Sequence, residues 1–186
     1  MRVLAISGSL RAKSSCTSLL QAAALLAPAG MDIVFYEGLA ALPHFNSDLD
    51  TGHPPEPVRA LREEMGRCQG VLLSSPEYAR GVAGSFKNAL DWLVGSLEFP
   101  GKPVALLNAS PRASHADAQL RLTLRTMSAR LIEEASIALP LLGRNLDAGQ
   151  IAADADLSGA LRSALACFAN HAASHLPQLI STETTP

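Results

Sequence analysis

The residues best suited to chemistry lie in three short polar stretches, 8-GSLRAKSSC-16, 76-PEYARGVAG-84 and 109-ASPRASHAD-117. In the first, Ser9, Ser14, Ser15 and the following Thr17 offer hydroxyls, and Arg11 offers a rigid fork of N–H donors. The stretch leaves an apolar run and opens an Ala/Leu-rich one, so it ends at a helix N-terminus. Unpaired amides and a partial positive charge there favour an anion. Hydroxyls, amides and a guanidinium together suit a phosphate monoester. An ordinary serine helix cap stays open as the plainer reading. Neither GxxxxGK[ST] nor GxGxxG occurs in the stretch.

The second stretch leaves another apolar run, GVLLSS, through Pro, Glu, Tyr and Gly before helical spacing resumes at Gly84. Pro and Gly let backbone approach a flat ligand closely, and Tyr78 would add an aromatic wall or an edge hydrogen bond. A plain strand-to-helix loop is the alternative. Cys16 sits where a thiol pKa can fall, or else it packs as a small side chain beneath the loop. His44 and His53 have no metal-binding spacing; His171 and His175 are i, i+4 on the last helix, where exposed histidines are the default. No metal site is expected. Lys87 and Asp91 are spaced for a helix ion pair or an interface contact, and Trp92 reads as core or interface.

These loops are positioned by alternating elements. Apolar runs at 3–7, 32–36, 70–75 and 103–109 read as strands, with a fifth inside 132–141. Helical spacing covers about 16–27, 57–67, 84–95, 115–130 and 154–175, and residues 177–186 read as a frayed tail. Between the second strand and second helix lies a long irregular piece rich in proline. Strand and helix in regular alternation mean an α/β parallel sheet with helices on both faces. Five strands suit the flavodoxin-like order 2-1-3-4-5, a three-layer sandwich whose ligands sit beyond the carboxyl ends of the strands. All three polar stretches fall there. The whole of 1–186 reads as one domain.

The totals narrow the class further. A net charge of −2 gives no broad attraction to nucleic acid or an anionic membrane. Cys16, Cys68 and Cys167 are odd in number and form no CxxC pair, so they read as free thiols in a reducing compartment. No run approaches the roughly 20 apolar residues of a membrane span, and the first apolar run is too short for a signal peptide. The expectation is a cytoplasmic protein.

GSLRAKSS resembles the GSxRxxS phosphate loop of the NAD(P)H-dependent FMN reductase family. PEYARGVAGSFKNALDWL is similar to that family's PEYNxSxPGxLKNAIDW segment, and GKPVALLNASP to its GKPVAIIxASPG strand. The likeness runs from Met1 to about Leu142. It implies a flavodoxin-like fold that binds FMN. Ser9, Arg11, Ser14, Ser15, Cys16 and Thr17 would hold the phosphate. Pro76, Glu77, Tyr78, Ala79 and Gly81 would line the ring, and Ser110 would approach it from the other side. No side chain would be catalytic in its own right. NADPH or NADH would reduce the flavin by hydride transfer, and electrons would pass on to free flavin, a quinone, an azo compound or a metal oxyanion. The family's dimer contacts imply a homodimer or homotetramer. The chain departs from the pattern at Cys16 (often Asn), at Ala79-Arg80 (often Asn-His), at Ala83 (often Pro) and at Arg112-Ala113 (often Gly-Gly).

Two other classes share parts of this pattern. An FMN electron carrier without its own nicotinamide reaction has the same fold, but it should be acidic with large aromatics around the ring. A phosphate-binding regulatory α/β domain would keep the first loop without needing PEYxxG followed by KNALDW.

Overall fold

In each of three apolar runs, alternate residues face opposite sides. Val3 and Ala5 join one hydrophobic cluster, while Leu4 and Ile6 join a second. Leu72 opposes Val71 and Leu73 in the same way, and Ala105 and Leu107 oppose Val104 and Leu106. This is the period-two alternation of a pleated strand buried on both faces. The computed structural model describes residues 1–173.

The elements in chain order are β1 (Arg2–Ser7), α1 (Ser15–Leu25), β2 (Asp32–Phe35), α2 (Glu56–Arg67), β3 (Gly70–Ser74), β4 (Glu77–Tyr78), β5 (Gly81–Val82) and α3 (Gly84–Val94). They continue with β6 (Pro103–Asn108), α4 (Ser114–Thr126), β7 (Arg130–Leu131), β8 (Ile137–Ala138), α5 (Ala148–Ala153) and α6 (Ala155–Ala173). The main sheet is parallel throughout, ordered β2-β1-β3-β6, with β7 and β8 on the outer edge of β6. Helices α1, α5 and α6 cover one face, and α2, α3 and α4 cover the other. The Phe168 ring of α6 packs against Gly70 at the start of β3, where a Cβ would meet it at 2.7 Å. This is the flavodoxin-like arrangement, with order 2-1-3-4-5 when β7 and β8 count as one strand.

The fifth strand is the first departure from expectation. It is broken into two residues at each end by a 3-10 turn at Glu133–Ala135. At the break the Leu106 amide donates to the Ser136 hydroxyl (3.1 Å), and that hydroxyl donates to the Ile132 carbonyl (2.9 Å). A side chain thus replaces one rung of the ladder. The fourth long helix, expected to reach residue 130, stops at Thr126. Ser128 takes a left-handed φ of 59°, and the Ala129 amide turns back to the Leu124 carbonyl. Arg130 then pairs with Pro103 along the sheet, its amide donating to the Lys102 carbonyl (2.9 Å).

The last helix is preceded by one the apolar spacing did not reveal. Asp147 and Gln150 form a reciprocal capping box at the start of α5, and Asp154 then caps α6 through the Leu157 amide. The expected tail at 177–186, and His175, lie outside the described residues. The long irregular piece packs on α3. Trp92, fully buried, donates from Nε1 to the Pro43 carbonyl (2.8 Å) and meets the Phe45 ring edge-on. Asn88 adds bonds to Pro43 and Phe45. Burying an indole of this size stabilises by roughly 2–3 kcal/mol.

Candidate functional site

Because β1, β3 and β6 run parallel, their carboxyl ends share one edge of the sheet, and the three polar loops meet there. The first two are stitched together by the Gly8 amide, which donates to the Ser74 carbonyl at 2.7 Å. Gly8 has no room for a side chain. A Cβ would sit 3.0 Å from both the Phe86 Cβ and the Ser75 hydroxyl. The loops enclose a cleft of about 340 Å³, a size usual for small-molecule sites.

Its first wall is Ser9, Arg11, Ser14, Ser15 and Cys16. Ser14 is the N-cap of α1, yet its side chain makes no capping bond, and the first turn of α1 carries no acidic residue. The helix therefore presents its positive end uncapped. Arg11 is exposed and has no ion pair among the described residues. Uncapped amides, three serine hydroxyls and a free guanidinium form a donor set that fits a phosphate monoester. Burial pushes the Cys16 thiol up from its usual value, against the lowering effect of the Ser74 and Ser14 hydroxyls beside it. The thiol is therefore neutral at physiological pH and packs beneath the loop.

The second wall is Ser75, Pro76, Glu77 and Tyr78, the last half exposed at the rim. Here the sequence suggested a loop, and the structure has a hairpin. Glu77 pairs with Val82 and Tyr78 with Gly81, around a two-residue turn at Ala79-Arg80. Both turn residues have positive φ, 50° and 60°, as a type I′ turn requires. The hairpin docks on α4 at two points. The Glu77 carboxylate accepts from the Ala116 amide in the first turn of α4 (2.9 Å), and Val82 N–H donates to the Gln119 side chain (2.9 Å). Glu77 thus spends its charge on a helix N-terminus, leaving the cleft wall without a free carboxylate. With its carboxylate turned to α4, this wall fits an uncharged planar ring.

The third wall comes from Asn108, Ala109, Ser110, Arg112 and Ala113. Asn108 accepts from the Ser110 amide (2.9 Å), and the Ser110 hydroxyl accepts from the Arg112 amide (3.2 Å). Side chains of these two residues shape the turn and leave Arg112 exposed at the mouth, with no ion pair among the described residues. Leu142 closes the remaining side.

Nine of the residues named from sequence line this cleft: Ser9, Arg11, Ser14, Ser15, Cys16, Pro76, Glu77, Tyr78 and Ser110. Thr17, Ala79 and Gly81 do not. Thr17 bonds its hydroxyl to that of Ser7 (2.8 Å), behind the loop, while Ala79 and Gly81 belong to the hairpin turn. Sequence reasoning passed over Ser75, Asn108 and Leu142. Asn108 had a legible signal, an Asx-type turn in NASPR; Leu142 had none. Among the described residues no cluster of three or more His, Cys, Asp or Glu side chains could hold a metal ion.

Comparison with known proteins places the chain. Residues 1–141 match the family model for NADPH-dependent FMN reductase. An NAD(P)H-dependent FMN reductase of Pseudomonas aeruginosa is 41% identical over 113 residues, 59% of this chain and 60% of that one. A quinone reductase of Pseudomonas putida is 37% identical over 116 residues, 60% of this chain and 61% of the other. The matched stretch thus spans about three-fifths of these relatives. Among solved structures, FerB of Paracoccus denitrificans, a flavoenzyme NAD(P)H:(acceptor) oxidoreductase, superposes with a TM-score of 0.74 at 26% identity, covering 91% of this chain and 98% of that one. No described helix is long and apolar enough to cross a membrane. A family match that contains all three loops, on a sheet that brings them to one edge, makes this chain a member of the NADPH-dependent FMN reductase family.

Proposed function

We propose that the chain is an FMN-dependent NAD(P)H oxidoreductase that delivers electrons to a small-molecule acceptor. The observation that carries this reading is the uncapped N-terminus of α1, with Arg11 unpaired among the described residues, opening directly into a cleft whose other walls are the Pro76–Tyr78 and Asn108–Ala113 loops. Ser9, Arg11, Ser14 and Ser15 hold the phosphate, with Cys16 packed beneath. Pro76, Glu77 and Tyr78 face the ring from one side and Ser110 from the other. Thr17, Ala79 and Gly81 act from behind, Thr17 by tying the loop to Ser7 and the other two by setting the hairpin turn.

Bound FMN supplies the redox chemistry, taking two electrons from NADPH or NADH and releasing them to the acceptor. The chain's own residues bind, orient and exclude water; none has to donate or abstract a proton. Glu77 contributes by fixing the hairpin to α4. The names of the relatives favour free flavin or a quinone as acceptor, and azo compounds or metal oxyanions would use the same open face. Free thiols support a cytoplasmic location. A homodimer or homotetramer is supported by Val94 and Leu97 at the end of α3, Leu97 being 93% exposed.

The test is the visible spectrum of the purified protein, followed by NADPH and NADH oxidation with and without added FMN and a quinone. A colourless protein that binds no added FMN and consumes neither nucleotide refutes the reading. Arg11→Ala removes charge-assisted bonds worth about 1.5–3 kcal/mol, so FMN affinity should fall about ten- to a hundredfold while thermal stability holds. Unchanged affinity would remove Arg11 from the phosphate site.

A further inference from the structure

On the far side of the first loop lies a second, larger groove of about 830 Å³, between the N-terminal half of α1 and residues 142–147. It shares Arg11, Ser14, Ser15 and Leu142 with the cleft described above. The proposed phosphate donors are therefore a common border between two cavities. We propose that this groove receives the adenosine monophosphate half of FAD, so that the protein binds FAD as well as FMN. The proposal rests on the flavin reading of the cleft.

The order of chemical groups along the surface leads to this ligand. Passing outward from the ring walls, a bound molecule meets the phosphate donors and then the groove. FMN ends at the donors. FAD continues from them with a second phosphate and an adenosine. Lys13 lines the groove and not the cleft, is exposed, and has no ion pair among the described residues, so it is placed for that second phosphate. Asp147 is the acidic residue lining the groove, and its carboxylate accepts from the Gln150 amide (2.8 Å) at the start of α5, which offsets its charge.

An adenine needs an apolar face and amide groups at its edge. Leu142, 67% exposed, and half-buried Leu146 supply the first; Gln21 and Asn145 supply the second. The outer wall is held open by left-handed backbone at Gly143 (φ 80°) and Asn145 (φ 50°). This wall lies just beyond residues 1–141 of the family match, while the α1 side of the groove lies within it. A nicotinamide dinucleotide cannot place its phosphates on Arg11, Ser14 and Ser15 while FMN occupies them, which favours the flavin dinucleotide.

Calorimetric titration of the flavin-free protein with FMN and with FAD tests the assignment. FAD is expected to bind within about tenfold of FMN. Gln21→Trp, which fills the groove from an exposed position on α1, should weaken FAD by about tenfold or more and leave FMN unchanged. Retained FMN binding also certifies that the variant is folded. FAD binding about a hundredfold weaker than FMN, or a Gln21→Trp variant that binds FAD normally, overturns the inference while the FMN reading stands. So does a variant that loses NADP⁺ binding to the FMN-loaded protein but keeps FAD. Binding of neither flavin overturns both together.

Discussion

Ala79 and Arg80 occupy a turn built for other residues. Both have positive φ in a two-residue hairpin, where an L side chain costs about 1–2 kcal/mol against the right-handed region. Asn and Gly tolerate that region best, which makes Asn-Gly the preferred pair for such a turn. The double change Ala79→Asn, Arg80→Gly should therefore relieve about 2 kcal/mol of strain. Glycine's extra freedom in the unfolded chain returns about 0.5–1 kcal/mol of this. The net gain is about 1 kcal/mol, which for a chain of this length raises Tm by about 2–4 °C. Circular dichroism melts of flavin-free protein measure it without ligand mass action. Arg80→Ala separates charge from backbone, because it keeps the strain and should leave Tm unmoved. Ala79→Val places a β-branched residue in the left-handed region and should lower Tm by a similar 2–4 °C. A stable Ala79→Val variant, or no gain from the double change, would refute a left-handed turn at these residues.

Glu77→Ala removes the acceptor of the Ala116 amide and one of the two ties between hairpin and α4. Stability should fall by about 1–2 kcal/mol, and FMN retention with it; Glu77→Gln, which keeps an acceptor, should recover most of both, and equal losses in the two variants would show that the hydrogen bond is not what matters. The Tyr36 hydroxyl is shielded from water without a hydrogen-bond partner among the described residues, and burial pushes its pKa up to about 12. Its neutral form is the one the fold favours, so this contribution is complete below pH 10 and is lost as pH rises from 10 through 12. With the ring only half buried, solvent screening reduces the effect to about 1 kcal/mol. Tyr36→Phe should match or exceed the parent at pH 7 and lose less stability between pH 9 and 11; a variant less stable at pH 7 would mean that the hydroxyl has a partner in solution.

Much of the architecture was legible in residue types alone. Three strands buried on both faces declare themselves as apolar runs rich in Val, Leu, Ala and Ile, and the loops after them by serine, proline and glycine, because burial on two faces and tight turns admit few other residues. The parallel sheet with helices on both faces follows from the alternation of strand and helix. The composition of the first loop already suggested an anion site, since charge and hydroxyl donors are intrinsic to the residues present.

What the linear sequence withheld depends on who meets whom. The broken fifth strand depends on a serine hydroxyl that takes the place of a ladder carbonyl, and the early end of α4 on one left-handed serine; neither alters an apolar pattern. Helix α5 is too short for its spacing to register. Glu77 lines the cleft as its motif suggests, but only the fold shows that its carboxylate turns to α4 and accepts from a helix N-terminus 39 residues on. Leu142 and the groove beside it belong to no motif. They exist because a loop beyond residue 141 folds back over the start of α1, and nothing in the spacing of either segment encodes that distance. Local chemistry is carried by residue identity; the shape of a cavity is a property of pairs of segments, and only packing decides it.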